Sequence, residues 1–310
     1  MKKIITLTLN PALDKTISVE QLIPEKKLRS TFSQIEPGGG GINVSRAIYK
    51  LGGSSEAVYL AGGYTGKHFE ELLTNAGIVS VALQINGDTR ENFVVVDDSN
   101  NKQYRFGMTG PEVTETEWQN ALSYISDQTD ISYIVASGSL PPGVPEDIFA
   151  KLAVIAKQKN ARLIVDTSGK ALKEVVTEGL FLIKPNLDEL SNLYGTKKLE
   201  KGEILTAARS IIHNGGCEVM VVSMGKDGAM LITKDTQLEV APPDDVTVHS
   251  TVGAGDSMVG GMLMALSKEW TLEDVLYYGI AAGTAATMNH GTELCKKEDT
   301  ERLFAKMKEQ

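Results

Sequence analysis

Residues 148–165 read IFAKLAVIAKQKNARLIV, and together with the run YIVA at Tyr133–Ala136 they decide the architecture. Ile148, Leu152, Ile155 and Ala156 recur at helical spacing, whereas Arg162–Val165 is a short, β-branched apolar run. The same alternation continues downstream. Phe181–Ile183 and Val219–Val222 are further apolar runs, and Ile204, Ala207, Ala208, Ile211 and Ile212 fall at helical spacing between them. Apolar strands separated by amphipathic helices predict a doubly wound, mostly parallel α/β sheet with helices on both faces. Its crossovers are expected to be right-handed.

Toward the N-terminus the pattern changes. Ile4–Leu9 reads as a first strand, but Thr16–Val19, Phe93–Val96 and Gln103–Phe106 alternate or flank turn residues such as Asn86-Gly87 and Asn100-Asn101. These segments read as β-hairpins outside the alternating order. They predict a small β-sheet flap built from about 12–32 and 88–108, able to cover a ligand or pair with a second subunit. With no internal repeat and no Pro/Ser-rich linker, residues 1–310 are expected to form a single domain carrying this lid.

Composition narrows the function classes. Lys and Arg total 31 against 40 Asp and Glu, a net charge of −9, which is not the electrostatic footprint of a nucleic-acid binder. Cys217 and Cys295 form no CxxC or Cys/His cluster, so neither a disulfide scaffold nor structural zinc is expected, and a reducing cytoplasm fits. Lys2-Lys3 followed by Ile4–Leu9 mimics a signal peptide, but the apolar stretch is short, carries Thr6 and Thr8, and runs into Asn10-Pro11. The uncharged run Val275–Thr292 contains Thr284, Thr287, Asn289, His290 and three glycines, so it reads as a packed helix ending in a loop rather than a membrane span. His68, His213, His249 and His290 show no metal-ligand spacing and no partnered nucleophile.

Three glycine clusters remain: Pro37–Asn43, Ser137–Gly143 and Thr251–Ser257. No Gly-x-Gly-x-x-Gly follows the first strand, because Asn43 stands where the third glycine would be. Gly62 to Gly66-Lys67 is one residue short of a Walker loop and ends in His68. Dinucleotide redox chemistry and P-loop hydrolysis are thereby disfavoured. Gly253-Ala254-Gly255 precedes the helical run Met258–Leu266, so unpaired amides and the positive end of the helix dipole are expected there. Asp256 then has two readings: a simple helix cap, or a base that takes a proton from a hydroxyl attacking phosphorus. Gly38–Gly41 opens another helix, with Ile42, Val44, Ala47, Ile48 and Leu51 at core spacing. That run is either a flexible turn or backbone packed against a polar substrate, with Asn43 and Asp14 bonding its hydroxyls.

Five motifs in order resemble the ribokinase/PfkB family of carbohydrate kinases over essentially the full chain. They are Leu7–Asp14, Gly38–Asn43, Lys184-Pro185-Asn186-Leu187-Asp188-Glu189, Ser223-Met224-Gly225-Lys226-Asp227-Gly228 and Ser250–Asp256. The resemblance implies Asp256 as catalytic base and the amides of Gly253, Ala254 and Gly255 as an anion hole. It implies Mg²⁺ organised by Asn186 and Glu189, through water, and nucleotide contacts at Lys184, Asn186, Ser223, Gly225 and Gly228. For the sugar phosphate it points to Asp14, Gly39, Gly40, Asn43 and Ser139, with Lys27, Arg29 and Arg90 on the phosphate and Arg105 nearby. A K⁺ ion is implied near Ser250, Val252, Ala286, Asn289 and Gly291.

The expected reaction is ATP-dependent phosphorylation of fructose 6-phosphate to fructose 1,6-bisphosphate. Kinases of fructose 1-phosphate and tagatose 6-phosphate in this family usually carry Lys where Gly40 stands, which favours the 6-phosphate reading. The alternatives are those two kinase activities and, more remotely, a sugar-phosphate sensor without turnover. ATP and sugar phosphate are the expected partners, with no nucleic acid or membrane, and a homodimer formed through the lid.

Overall fold

A computed structural model describes residues 2–100, 102–289 and 291–309; Asn101 of the Asn100-Asn101 turn and His290 lie outside the described residues. The chain opens with β1 (Lys3–Thr8), β2 (Ala12–Val19), β3 (Ser30–Gly38) and α1 (Gly40–Lys50). There follow β4 (Glu56–Ala61), α2 (Gly63–Asn75), β5 (Ser80–Gln84), β6 (Arg90–Asp97) and β7 (Lys102–Phe106). Alternation then sets in with α3 (Glu115–Asp127), β8 (Ile131–Ser137), α4 (Ile148–Gln158), β9 (Arg162–Asp166), α5 (Gly169–Val175) and β10 (Leu180–Ile183). It continues through α6 (Leu187–Tyr194), α7 (Ile204–His213) and β11 (Cys217–Ser223). A hairpin of β12 (Ala229–Ile232) and β13 (Gln237–Val240) precedes α8 (Ala254–Ser267), α9 (Leu272–Thr287) and α10 (Lys297–Lys308).

Nine strands form one sheet in the order β13-β12-β11-β10-β9-β8-β1-β4-β5. All pairings from β5 to β11 are parallel, and only β12 and β13 add antiparallel contacts at one edge. This is a ribokinase-like α/β sheet with helices on both faces. Ile5, Leu7, Ile134 and Val165 pack with α3, α4, α5, α6 and α7 on one side. Ile4, Tyr133, Val135 and Ile164 pack with α1, α8, α9 and α10 on the other. Because both faces are covered, the strands are mostly apolar on both sides and read as near-continuous runs, with the buried Thr6 and Thr8 of β1 as exceptions.

Strand order reverses at β1, which lies between β4 and β8. In an open parallel sheet the loops at such a reversal part company and leave a crevice beyond the carboxyl ends of the strands. The segments that follow β1, β8, β9, β10 and β11 therefore converge on one end of the molecule.

A second sheet, order β3-β2-β6-β7, stands apart. It contains two antiparallel hairpins, β2–β3 and β6–β7, joined by a parallel pairing of β2 with β6. Two details differ from the hairpin reading. Pairing of Ala12 with Gly38 carries β3 well past residue 32. Asn86-Gly87 is not a hairpin turn but the passage from β5 of the large sheet to β6 of the small one, where the Asn86 amide donates to Glu117 Oε1 at 2.6 Å.

The uncharged run after Asp274 is α9 and its exit loop, and no described helix is long and apolar enough to cross a membrane.

Candidate active site

The crevice is built from strand ends. Just after β1, Asn10 donates through Nδ2 to Thr109 O (3.0 Å) and to Ser139 Oγ (3.1 Å), so it ties the β1 exit to the β8 exit. Ser139 itself is exposed at the mouth. In the small sheet, Asp14 of β2, Glu36 of β3 and Asn92 of β6 lie in one row across three strands. Two carboxylates directly opposite each other repel. Here Asn92 donates to Asp14 Oδ1 at 2.9 Å and Arg46 binds Glu36 Oε1 at 2.6 Å, which offsets that repulsion. Burial nonetheless holds the Asp14 carboxyl above the usual Asp range, against the pull of Asn92, Arg90 and Arg46.

The glycine run between β3 and α1 is explained by crowding. A Cβ at Gly38 would lie 2.0 Å from Asp14 Oδ2, one at Gly40 2.2 Å from Ser137 Oγ, and one at Gly41 2.5 Å from Thr8 Oγ1. Gly39 adopts φ +111°, a conformation L side chains rarely take, beside Thr8 and Pro11. On the Cβ side the close neighbours of this run are protein atoms, while Gly39 and Gly40 stay partly exposed.

Helix α8 starts differently. Its N-cap, Gly253, has φ 72° and no side chain caps the first turn; of the leading amides, Ala254 N reaches Thr251 O at a long 3.5 Å, and helix geometry leaves the others of the first turn without an intrahelical acceptor. A Cβ at Gly255 would meet only Lys184 Nζ at 3.5 Å and Lys184 Cε at 4.0 Å. Asp256 follows in the first turn, half-buried. Its Oδ2 accepts from Asn43 Nδ2 of α1 at 2.9 Å, so two uncapped helix N-termini meet at one carboxylate. Burial, and after it repulsion from Asp166, pushes the Asp256 carboxyl up from 3.8 to about 6, while the Asn43 amide and Lys184 pull it down. A carboxyl poised there can take a proton from a hydroxyl, and the free amides can receive developing negative charge.

Next to it, the buried Lys184 pairs with Asp166 at 3.3 Å. Burial works against its charge, but Asp166, Asp256 and Glu189 overcome that and hold its pKa above the ordinary lysine value. Asn186 and Glu189, three apart in sequence, meet at the start of α6. Asn186 is the N-cap of α6, and the two form a reciprocal capping box: Glu189 N donates to Asn186 Oδ1 and Asn186 N to Glu189 Oε2, both at 2.8 Å. Glu189 is raised above its usual pKa by burial and by repulsion from Asp166 and Asp188, against the Asn186 amide and Lys184. Oxygen donors under mutual repulsion suit a hard divalent cation, so this donor set fits Mg²⁺. Among the described residues no group of three or more His, Cys, Asp or Glu stands close enough to hold a metal alone.

The turn after β11 lies alongside. Asn186 bridges to Ser223, whose amide donates to Pro185 O at 2.9 Å and whose hydroxyl reaches the same oxygen at 3.5 Å. Gly228 (φ 88°) is demanded by the fold, since a Cβ would lie 2.0 Å from Val240 O; Gly225 (φ 61°) faces open space. At the other flank, Ser250 Oγ donates to Gly291 O at 2.7 Å, Val252 N donates to Ser250 Oγ at 3.2 Å, and Asn289 Nδ2 donates to Leu294 O at 3.0 Å. Ala286 O accepts from Asn289 N. These carbonyl and hydroxyl oxygens form a neutral, oxygen-rich loop whose chemistry fits a monovalent cation.

The expected phosphate-binding cations are not gathered into one cluster. Lys27 and Arg29 are exposed in the loop between β2 and β3 and make no ion pair among the described residues. Arg90 instead donates to Asn10 O at 2.9 Å and to Met108 O, and its Nε is buried without a partner. Burial lowers its pKa, against the opposing charge of Asp14. Arg105 is exposed on β7 and donates to Gln103 Oε1 at 3.2 Å.

Glu36, Arg46, Asn92 and Asp166 belong to the site and escaped the sequence reading. Two of them left a trace: Arg46 is one helical turn from Asn43, and Asp166 ends the apolar run Arg162–Val165. The cavities of about 530 and 560 Å³ detected elsewhere lie at Lys2, Asp130 and Glu269, at the amino end of the strands, and along α2.

Comparison with known proteins agrees with this geometry. The profile of the pfkB family of carbohydrate kinases matches residues 8–299. The chain is 41% identical over 306 residues to the ATP-dependent 6-phosphofructokinase isozyme 2 of Escherichia coli (strain K12), covering 98% of this chain and 99% of that one. It is 32% identical over 305 residues to the 1-phosphofructokinase of Bacillus subtilis (strain 168), covering 98% of each. The crystal structure of phosphofructokinase-2 from Escherichia coli in complex with potassium superposes with a TM-score of 0.96 at 40% identity, over 99% of this chain and 100% of that one.

Proposed function

The chain belongs to the pfkB family of carbohydrate kinases, and from that premise we propose that it transfers the γ-phosphoryl group of ATP to fructose 6-phosphate, forming fructose 1,6-bisphosphate. Asp256 takes the proton of the sugar's C1 hydroxyl as that oxygen attacks phosphorus in line. The amides of Gly253, Ala254 and Gly255 receive the charge that builds on the transferred group. Asp14, Asn43, Ser139 and the backbone at Gly39 and Gly40 orient the sugar. The cations proposed for the 6-phosphate are Arg90, level with Ala12 at one end of β2, and the exposed Lys27 and Arg29, which the β2–β3 loop must carry to it because they lie past Val19 at the other end of that strand. Lys184, Ser223, Gly225 and Gly228 border the nucleotide, with Asn186. Asn186 and Glu189 would hold Mg²⁺ through water, where it would supply positive charge to offset that of the nucleotide's phosphates. A K⁺ ion would rest on oxygens around Ser250, Val252, Ala286, Asn289 and Gly291.

The observation that carries this reading is Asp256: a carboxyl raised to about 6 by burial and a neighbouring carboxylate, at an uncapped helix start. The helix N-cap is Gly253, and Asp256 Oδ2 accepts from Asn43 Nδ2 instead of capping its own first turn. Position 40 favours the 6-phosphate over the 1-phosphate, because the kinases of fructose 1-phosphate in the family usually carry a Lys there and this chain lacks that cation; a Cβ at Gly40 would collide with Ser137.

The small sheet is the proposed lid and the seam of a homodimer. Its register puts Asp14, Glu36 and Asn92 on one face and Ile17, Ile35, Phe93, Val95, Tyr104 and Phe106 on the other. Ile35, Tyr104 and Phe106 of that second face are exposed, and an apolar face of this kind suits a second copy of the chain. A cytoplasmic location fits its two free, buried thiols.

The test is product identification after incubation with ATP and, separately, fructose 6-phosphate, fructose 1-phosphate and tagatose 6-phosphate. Fructose 1,6-bisphosphate formed fastest from the first is expected; preference for the second overturns the substrate assignment and leaves the chemistry standing.

A further inference from the structure

Thr292, Glu36 and Arg46, which the proposed reaction does not use, form with Asn43 a chain of side chains that runs from the small sheet to the Asp256 carboxylate. Thr292, in the loop before α10, donates its hydroxyl to Glu36 Oε2 on β3. Glu36 Oε1 accepts from Arg46 NH2 at 2.6 Å, and both side chains are nearly buried, 13% and 11% exposed. Arg46 NH1 donates to Pro37 O at 2.7 Å and toward Asn43 Oδ1 at 3.4 Å. Asn43 Nδ2 in turn donates to Asp256 Oδ2 at 2.9 Å.

The chemistry of the ends makes this chain directional. A guanidinium has only donors, and a carboxylate has only acceptors. The Asn43 amide between them fits in one orientation, with its oxygen toward Arg46 and its nitrogen toward Asp256. Flipping it would set donors against donors and an oxygen against a carboxylate. A buried ion pair such as Arg46–Glu36 is weak evidence of a stabilising role. Its partners here are better explained by orientation.

We propose that Arg46 is a positioning residue: anchored by Glu36 and Thr292, it locks the Asn43 amide so that it donates to Asp256, and so couples the small sheet to the carboxylate. The proposal rests on the reading of Asp256 as base. Glu36 lies opposite Asp14 in the β2–β3 register, so any shift of β3 is felt at Arg46 and hence at Asn43. The groups facing Asp256 are Asn43 of α1, Asp166 of β9, Lys184 after β10 and, farther off, Asp14 of β2. Those facing Arg46 are Glu36 and Asp14.

The experiment follows the Asp256 carboxyl by ¹³C NMR titration of the full chain, with the resonance assigned by its loss in Asp256→Asn, beside steady-state kinetics. Arg46→Lys keeps the charge and can still reach Glu36, but it lacks the fork that also reaches Asn43. It should lower kcat about tenfold, change KM for the sugar phosphate much less, and raise the Asp256 midpoint by roughly half a unit as the Asn43 donor is lost. In an Asn43→Ala background, Arg46→Lys should no longer move that midpoint. Thr292→Val, which loosens only the far end, should act in the same direction and less strongly.

An Asp256 midpoint unchanged in Arg46→Lys, or one that still moves when Asn43 is absent, overturns the proposal. If the midpoint shifts as stated while Asp256→Asn keeps full turnover, the positioning chain stands and the base assignment falls. The carboxyl titration needs no substrate, so the two failures are told apart.

Discussion

Helices α1 and α8 begin alike on paper and differently in space. Each has a glycine N-cap at positive φ, Gly39 at 111° and Gly253 at 72°, and neither has a capping side chain. In α1 the glycines at 38, 40 and 41 are required because Asp14, Ser137 and Thr8 press against them. In α8, Gly255 is exposed and a side chain there would meet only the tip of Lys184. One glycine run is a packing joint that lets β3, β1 and β8 approach α1. The other leaves a helix start open to an anion. Glycine therefore marks close approach in both, but only neighbours reveal whether the approach is by protein or by ligand.

That contrast can be broken or sharpened by substitution. The largest effect should come at the open helix start: Asp256→Asn is expected to lower kcat about 10²- to 10⁴-fold with nucleotide binding retained, read by coupled assay and calorimetry. The parent's kcat/KM should also fall tenfold per pH unit below about 6, where the base of the free protein becomes protonated. Flat activity through that range would remove Asp256 from the proton transfer. At the packed helix start, Gly40→Ala should destabilise by about 1–3 kcal/mol through overpacking against Ser137, measured by urea unfolding.

Asp256→Asn should also change stability, with a sign that depends on pH. The folded pKa is raised from 3.8 to about 6, so folding disfavours the ionised form. The cost is fully present above about pH 6 and disappears as pH falls toward 4, where both states are protonated. The variant should therefore gain roughly 1–3 kcal/mol at pH 8 and nothing near pH 4. Smallest of all, Gly255→Ala should leave stability within about 1 kcal/mol, since alanine suits a helix and finds no clash. Its methyl group should nevertheless impair phosphoryl transfer. A stability loss at Gly255 as large as that at Gly40 would erase the distinction between the two helix starts.

Much of the large sheet was legible because a strand covered on both faces is mostly apolar on both sides, so Tyr133–Ala136 and Val219–Val222 stood out among amphipathic helices. The small sheet was legible as segments but not as a topology. Hairpin partners lie close in the chain, whereas the parallel pairing of β2 with β6 joins residues about 78 positions apart, as in Asp14 with Asn92, and no local pattern announces it. Asp256 and Asn43 could be singled out by motif, yet their 2.9 Å contact joins two helices far apart in sequence. Arg90 shows the opposite limit. A cation can be counted from sequence, but its commitment to Asn10 O and Met108 O depends on a fold that brings those carbonyls to it.

Residue chemistry alone thus settled what repeats locally: which stretches are buried on both sides, and where glycine runs open helices. Tertiary structure alone decided which distant groups touch, and with it the raised pKa of Asp256, the burial of Lys184 beside Asp166, and the line from Thr292 through Glu36 and Arg46 to Asn43. The reason is that periodicity and propensity act over a few residues, whereas repulsion, desolvation and hydrogen bonding act through space, across elements that only a strand-order reversal brings together.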